Sequence, residues 1–124
     1  MDGVRYELRS EGTILVLTTG ARFTTDHLLD TMTRALRDPA AQLPIKLLVD
    51  NRGCTESAST EEVQRRAGML GSRVCLFVPW VAVVVSDDLQ YALARMNQAY
   101  LEEHGIAVAI FRDFDEALGW LAAR

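Results

Sequence analysis

Polar residues that could bind a ligand follow the third predicted strand. The apolar run Ile45–Val49 is followed directly by Asp50, Asn51 and Arg52. A carboxylate, an amide and a guanidinium at the end of a strand could together bind a polar ligand or a protein partner. Asp and Asn also favour turns, because their side chains hydrogen-bond to nearby backbone groups. We therefore take Asp50, Asn51 and Arg52 as a candidate binding site, with a plain turn as the alternative.

Two neighbouring carboxylates follow the next strand. Asp87 and Asp88 come after the apolar run Val81–Val85 and Ser86, and two acids could share acid–base catalysis or bind a metal. A structural explanation is simpler, because Asp87 has the spacing of a helix N-cap to Gln90 and acids complement the dipole at a helix start. We keep Ser86 and Asp87 as candidate binding residues and expect no catalytic role for the acidic pair.

The other reactive side chains have no partner of a recognisable spacing. His27 and His104 are not paired with a nucleophile, and Cys54 and Cys75 form no metal-binding or redox motif. We therefore expect a non-enzymatic protein with no catalytic residues, no metal and no cofactor.

Large apolar side chains cluster around the fourth predicted strand and the helix after it. Phe77, Trp80, Tyr91 and Met96 could line a pocket for a small apolar ligand. Aromatic and Met residues at helical spacing more commonly fill a core. The sequence leaves both alternatives open.

Composition limits the classes of partner. The chain has 124 residues, 49% of them hydrophobic, and a net charge of −4. This length fits one globular domain, and the acidic balance argues against binding to nucleic acid. The first residues lack the basic and apolar regions of a signal peptide, and no apolar run is long enough to span a membrane. We expect a cytoplasmic protein.

The elements that would position these residues alternate along the chain in the order ββαβαβαβα. Val4, Tyr6 and Leu8 alternate with charged residues and predict an exposed edge strand, which a turn joins to a buried strand over Thr13–Thr18. Strands that alternate with helices indicate parallel pairing through right-handed crossovers. The predicted fold is a single α/β domain over residues 1–124, with a mostly parallel five-stranded sheet, an antiparallel N-terminal edge hairpin and four helices.

Capping residues mark the helix starts. Thr24, Ser59, Asp87 and Asp113 each occupy an N-cap position. Apolar spacing predicts that the second helix continues to about Leu76, with Phe77 on its inner face. In the third helix the spacing predicts an inner stripe formed by four side chains: Leu89, Leu93, Met96 and Tyr100.

This order of elements, together with two segments, resembles a known family. The segments are VAVVVSDDLQYALARM, residues 81–96, and IFRDFDEALGWL, residues 110–121. They resemble the SpoIIAA-like branch of the STAS (anti-sigma-factor antagonist) superfamily, whose fold is related to the CRAL-TRIO lipid-binding domains. The closing segment matches the typical ending of SpoIIAA-like proteins at Phe111, Arg112, Asp113, Glu116, Ala117, Trp120 and Leu121.

One position departs from the resemblance. In the bacterial anti-sigma antagonists, an aspartate at the end of the third strand is followed by the serine that a partner kinase phosphorylates. Asp50 matches the aspartate, but Asn51 occupies the position of the serine, and Thr55, Ser57 and Ser59 lie further along. The phosphorylation switch is therefore not carried over, although Ser57 and Ser59 remain candidate binding residues.

The resemblance implies two functions. The first is a regulatory module that binds a protein partner or a second copy of itself. The second is a carrier or sensor of a small apolar ligand, such as a fatty acid or another lipid. A closed apolar cavity of a few hundred Å³ under the Trp80–Tyr100 segment would favour the second function, and a filled core would favour the first.

Overall fold

The computed structural model of the protein describes residues 2–56, 58–74 and 76–124. The described strands are β1 (Val4–Arg9), β2 (Ile14–Thr19), β3 (Lys46–Asp50), β4 (Trp80–Val84) and β5 (Ala107–Phe111). The described helices are α1 (Thr25–Leu36), α2 (Thr60–Val74), α3 (Asp88–Glu102) and α4 (Phe114–Ala122). The strands lie side by side in chain order, with β1 antiparallel to β2 and the other neighbours parallel. The predicted fold class is confirmed.

The two faces of the sheet carry different helices. Side chains such as Leu17, Leu47 and Val83 pack with α1, α2 and α3 in one apolar core. Their neighbours along the strands, such as Leu48 and Val84, pack with α4 in a second core. Because strand residues alternate between faces, a sheet covered on both sides needs nearly continuous apolar strands.

The N-terminal hairpin closes through a tight turn. Ser10 and Glu11 have positive φ angles of 53° and 59°, as in a type I′ turn, and Gly12 follows with φ 86°. The Gly12 amide donates to the Arg9 carbonyl at 3.1 Å. β1 lies at the edge of the sheet with alternating exposure, and β2 is almost fully buried. The predicted hairpin is confirmed.

Local hydrogen bonds explain where the helices begin. Thr24, Asp87 and Asp113 accept hydrogen bonds through their side chains from the amides of the third following residues, at 3.0, 2.8 and 2.9 Å. Ser59 does the same for Glu62 at 3.1 Å. These four predicted caps are confirmed. An N-cap of this kind contributes about 1 kcal/mol to helix stability.

The predicted end of the second helix is wrong. Within the described residues α2 ends at Val74, and Leu76 and Phe77 form a turn that leads into β4. The Phe77 carbonyl accepts a hydrogen bond from Ile45 at 2.7 Å. Phe77 is 44% exposed rather than on an inner helix face. The apolar residues therefore keep helical spacing by coincidence beyond the end of the helix, in the connection to β4. Pro79, which follows, cannot extend a helix.

The predicted inner stripe of the third helix is also wrong in register. Ala94 and Leu101 are the buried residues of α3, and Leu89 is 55% exposed. Tyr91 and Tyr100 pack at the edge of the core. The helix packs against both α2 and β5, so the buried side of α3 is set by two neighbours that the local sequence does not reveal.

Candidate functional site

A cavity of about 460 Å³ lies between the sheet and helices α1, α2 and α3. It reaches the carboxyl ends of β2, β3 and β4, where ligands commonly bind in open parallel sheets. Its volume is within the range of small-molecule sites, about 300–1,000 Å³. Apolar side chains from all three helices and two strands form much of its wall, among them Leu28, Val49, Val63, Leu70, Val83 and Leu93.

Polar side chains close the end of the cavity at the loop after β3. Thr19 donates to Asn51 Oδ1 at 3.0 Å. Gln90 Nε2 donates to the Cys54 carbonyl at 2.9 Å, and Gln90 Oε1 accepts from the Ser86 amide at 2.8 Å. These bonds tie the loop to the start of α3 and satisfy groups that line the wall.

A guanidinium and a hydroxyl form the polar part of the wall between α1 and α2. Half-buried Arg66 donates from Nε to the buried Thr25 Oγ1 at 3.1 Å, and its guanidinium lies 4.7 Å from the centre of the Phe23 ring. The Thr25 hydroxyl in turn hydrogen-bonds to Glu62. Burial lowers the pKa of Arg66. Hydrogen bonds from Arg65 and Thr25 lower the pKa of Glu62 to about 2, so this carboxylate is ionised at neutral pH.

One polar atom of the wall has no partner within the described part of the chain. Asn97 Oδ1, on α3, is buried and accepts no hydrogen bond from the described residues. A buried acceptor without a partner costs about 1–3 kcal/mol.

The candidate group at Asp50 is divided between the two faces of the sheet. Asn51 lines the cavity, whereas Asp50 and Arg52 border a groove on the α4 face next to Phe114. The predicted single site is therefore wrong. Successive side chains at the end of an extended strand point to opposite faces, which is the physical reason for the division.

Asp50 and Arg52 form a tight local pair. Arg52 donates to the two carboxylate oxygens from Nε at 3.0 Å and from Nη2 at 2.9 Å, and its backbone amide donates at 3.1 Å. Burial by itself raises the pKa of Asp50, but the hydrogen bonds from Arg52 outweigh it and the pKa is lowered. The pair satisfies itself, in agreement with the turn alternative.

The other polar candidates have structural partners. Ser59 and Asp87 cap α2 and α3. The exposed Ser86 donates its hydroxyl to the Arg52 carbonyl at 3.4 Å and to Gln90 at 3.2 Å. Ser57 lies outside the described residues.

The four apolar candidates do not line the cavity. Trp80 packs on the α4 face of the sheet, because it points to the same side of β4 as Ala82 and Val84. Tyr91 packs at the edge of the core on the other face. Phe77 lies in the exposed turn before β4, and Met96 is half-buried on α3. The structure therefore does not bring Phe77, Trp80, Tyr91 and Met96 together.

Sequence inspection missed Arg66 and Asn97, although a signal for both is present. Arg66 stands within the apolar stripe of Val63, Ala67 and Leu70 on α2. Asn97 likewise stands between Ala94 and Leu101 on α3. A polar side chain within a buried helical stripe is costly unless it has a partner, so such interruptions mark candidate binding positions.

Comparison with known proteins indicates the fold. No known protein family and no curated protein sequence matches the chain. A crystal structure of an uncharacterised DUF3478-family protein from Shewanella loihica, described as having a SpoIIAA-like fold, matches it with a TM-score of 0.68. The match covers 98% of this chain and 95% of that chain at 19% identity.

The chain has the SpoIIAA-like fold. The resemblance inferred from residues 81–96 and 110–121 is confirmed at the level of fold. In the SpoIIAA-like domain described here, no helix of the described residues is long and apolar enough to cross a membrane. The same residues contain no group of three or more His, Cys, Asp or Glu side chains that could hold a metal ion.

Proposed function

We propose that this SpoIIAA-like protein binds a small amphipathic molecule, such as a fatty acid, in the cavity under α1, α2 and α3, as a non-catalytic carrier or sensor. The cavity itself carries this proposal. The space of about 460 Å³ beside the sheet is partly open to solvent and has a mainly apolar wall. Small-molecule sites are commonly concave and mainly apolar in this way.

The composition of the cavity wall supports an amphipathic ligand. Leu70, Val83 and Leu93 offer apolar surface, while Arg66 offers hydrogen-bond donors. Small-molecule sites commonly combine a mainly apolar wall with a few polar groups that orient the ligand.

Direct measurement of binding tests the proposal. We expect native mass spectrometry of the freshly purified protein to show a bound small molecule, or the stripped protein to bind decanoate or 1-decanol in calorimetry. Either ligand should also raise the melting temperature, because binding to the native state alone stabilises it. An empty protein that binds neither decanoate nor 1-decanol would refute the proposed function.

A second candidate function is binding to a protein partner or to a second copy of this chain. The exposed side chains Leu76 and Phe77 support it, with 83% and 44% of their surface accessible. Adjacent exposed apolar side chains are frequent in protein interfaces. We expect a dimer in sedimentation velocity at high concentration, or a captured partner in a pull-down. The double variant Leu76→Ser/Phe77→Ser should lose the dimer or the captured partner. A wild-type protein that is a monomer and captures no partner would count against this candidate.

A further inference from the structure

We propose that the ligand of the cavity is an anionic amphiphile whose carboxylate, or a similar singly charged group, is held by Arg66. This inference rests on the proposed binding function and adds the chemical class of the ligand. It follows from the ion pairs of the cavity wall and from the way in which Arg66 is held.

Most charged groups of the cavity wall are already paired or exposed. Glu62 forms an ion pair with Arg65 at 2.9 Å. Glu56 pairs with Arg22 at 3.5 Å. Asp26 lies exposed in the first turn of α1. The acids of the wall are therefore neutralised by other arginines or by solvent.

Arg66 differs from these groups. It is half-buried in the cavity wall and forms no ion pair with any carboxylate of the described residues. Its one side-chain hydrogen bond among them goes from Nε to Thr25 Oγ1. A guanidinium has five N–H donors, so donors remain for a ligand. Burial lowers the pKa of Arg66, and the Glu62 carboxylate, linked to Arg66 through Thr25, opposes this shift but forms no ion pair with it. An anionic ligand would supply a carboxylate in direct contact.

Neighbouring groups hold Arg66 in position before a ligand binds. The Thr25 hydroxyl donates to Glu62 and can therefore accept from Arg66 Nε. The guanidinium carbon lies over the Phe23 ring, 4.7 Å from its centre. A guanidinium held by this ring and by Thr25 presents its remaining N–H groups in the planar geometry that matches a carboxylate.

Two probes of equal chain length test this inference. Decanoate and 1-decanol share the apolar chain and differ in the charge of the head group. We expect the protein to bind decanoate at least about tenfold more tightly than 1-decanol in calorimetry, which is the usual size of a charge-assisted hydrogen bond. Arg66→Gln should remove this preference, so that decanoate and 1-decanol bind with similar affinity.

Arg95→Gln is the control, because Arg95 is an exposed arginine on α3 that does not line the cavity. It should keep the decanoate preference. Arg66→Lys should keep part of the preference because it keeps the charge, and it covers the case in which Arg66→Gln fails to fold.

Cys54 lines the same cavity, so decanoate should slow alkylation of its thiol, measured on its own peptide by mass spectrometry.

The outcomes separate the two proposals. Equal binding of decanoate and 1-decanol to the wild-type protein would overturn the anion inference and leave the binding function in place. A decanoate preference that survives in Arg66→Gln, or unchanged alkylation of Cys54, would place the anion elsewhere and also overturn it. No binding of either probe would refute the proposed function itself.

Discussion

Ala94→Phe is expected to abolish binding of decanoate and 1-decanol, with at least a tenfold loss of affinity, or about 1.4 kcal/mol. Ala94 is 6% exposed and lines the cavity from α3. A phenylalanine ring at this position would occupy space that the ligand needs. Insertion of a large side chain at a buried position costs about 1–3 kcal/mol, less than the stability of a typical domain, so the protein should stay folded. Calorimetry measures the affinity, and circular dichroism checks the fold.

The control for this substitution is Ala99→Phe. Ala99 lies on the same helix but is exposed, so the same ring would point to solvent. Its affinity for decanoate should match that of the wild type. If Ala94→Phe unfolds the protein, Leu93→Trp blocks the cavity from the neighbouring position. Full binding by a folded Ala94→Phe would show that the ligand occupies a different place.

Gly12→Ala is expected to have the largest effect on stability, a loss of about 3 kcal/mol or more. Gly12 has φ 86°, and a Cβ atom there would overlap the carbonyl oxygen of Ala40. A non-glycine residue in this region of φ costs about 1–3 kcal/mol even without a clash. The Gly12 carbonyl also accepts a hydrogen bond from Gln42 at 2.9 Å, so the loop after α1 is docked on this turn. Chemical denaturation measures the free energy of unfolding.

Gly105→Ala separates the two causes. Gly105 has a similar φ of 81°, but a Cβ atom there would meet no atom within 4 Å. Gly105→Ala should lower the free energy of unfolding only by the backbone strain, about 1–2 kcal/mol. Equal losses in the two variants would mean that the contact with Ala40 contributes nothing to the effect of Gly12→Ala.

The paired charges of the α4 face contrast with the cavity. Asp50 and Arg52 satisfy each other, so this end of β3 needs no ligand to neutralise it. Arg66, on the other face, has no such carboxylate within the described chain. The candidate site at the end of β3 is therefore a pair of residues, Asp50 and Arg52, that satisfy each other. The group that favours a ligand lies on a helix that crosses the same sheet.

The sequence was sufficient where local interactions decide the structure. The caps at Thr24, Ser59, Asp87 and Asp113 depend on hydrogen bonds that span three residues. The strands follow from short apolar runs, although β2, β3 and β4 each lie one residue from the predicted bounds. Alternation of strands and helices then allowed few topologies, and the SpoIIAA-like fold is one of them.

Only the tertiary structure decided where a ligand can bind. The cavity lies where α1, α2 and α3 meet the sheet, and the placement of these helices depends on contacts between residues far apart in the chain. The same packing turned Ala94 rather than Met96 inward. Periodicity predicts which side of an element is apolar, but the space left between elements depends on side chains from all of them.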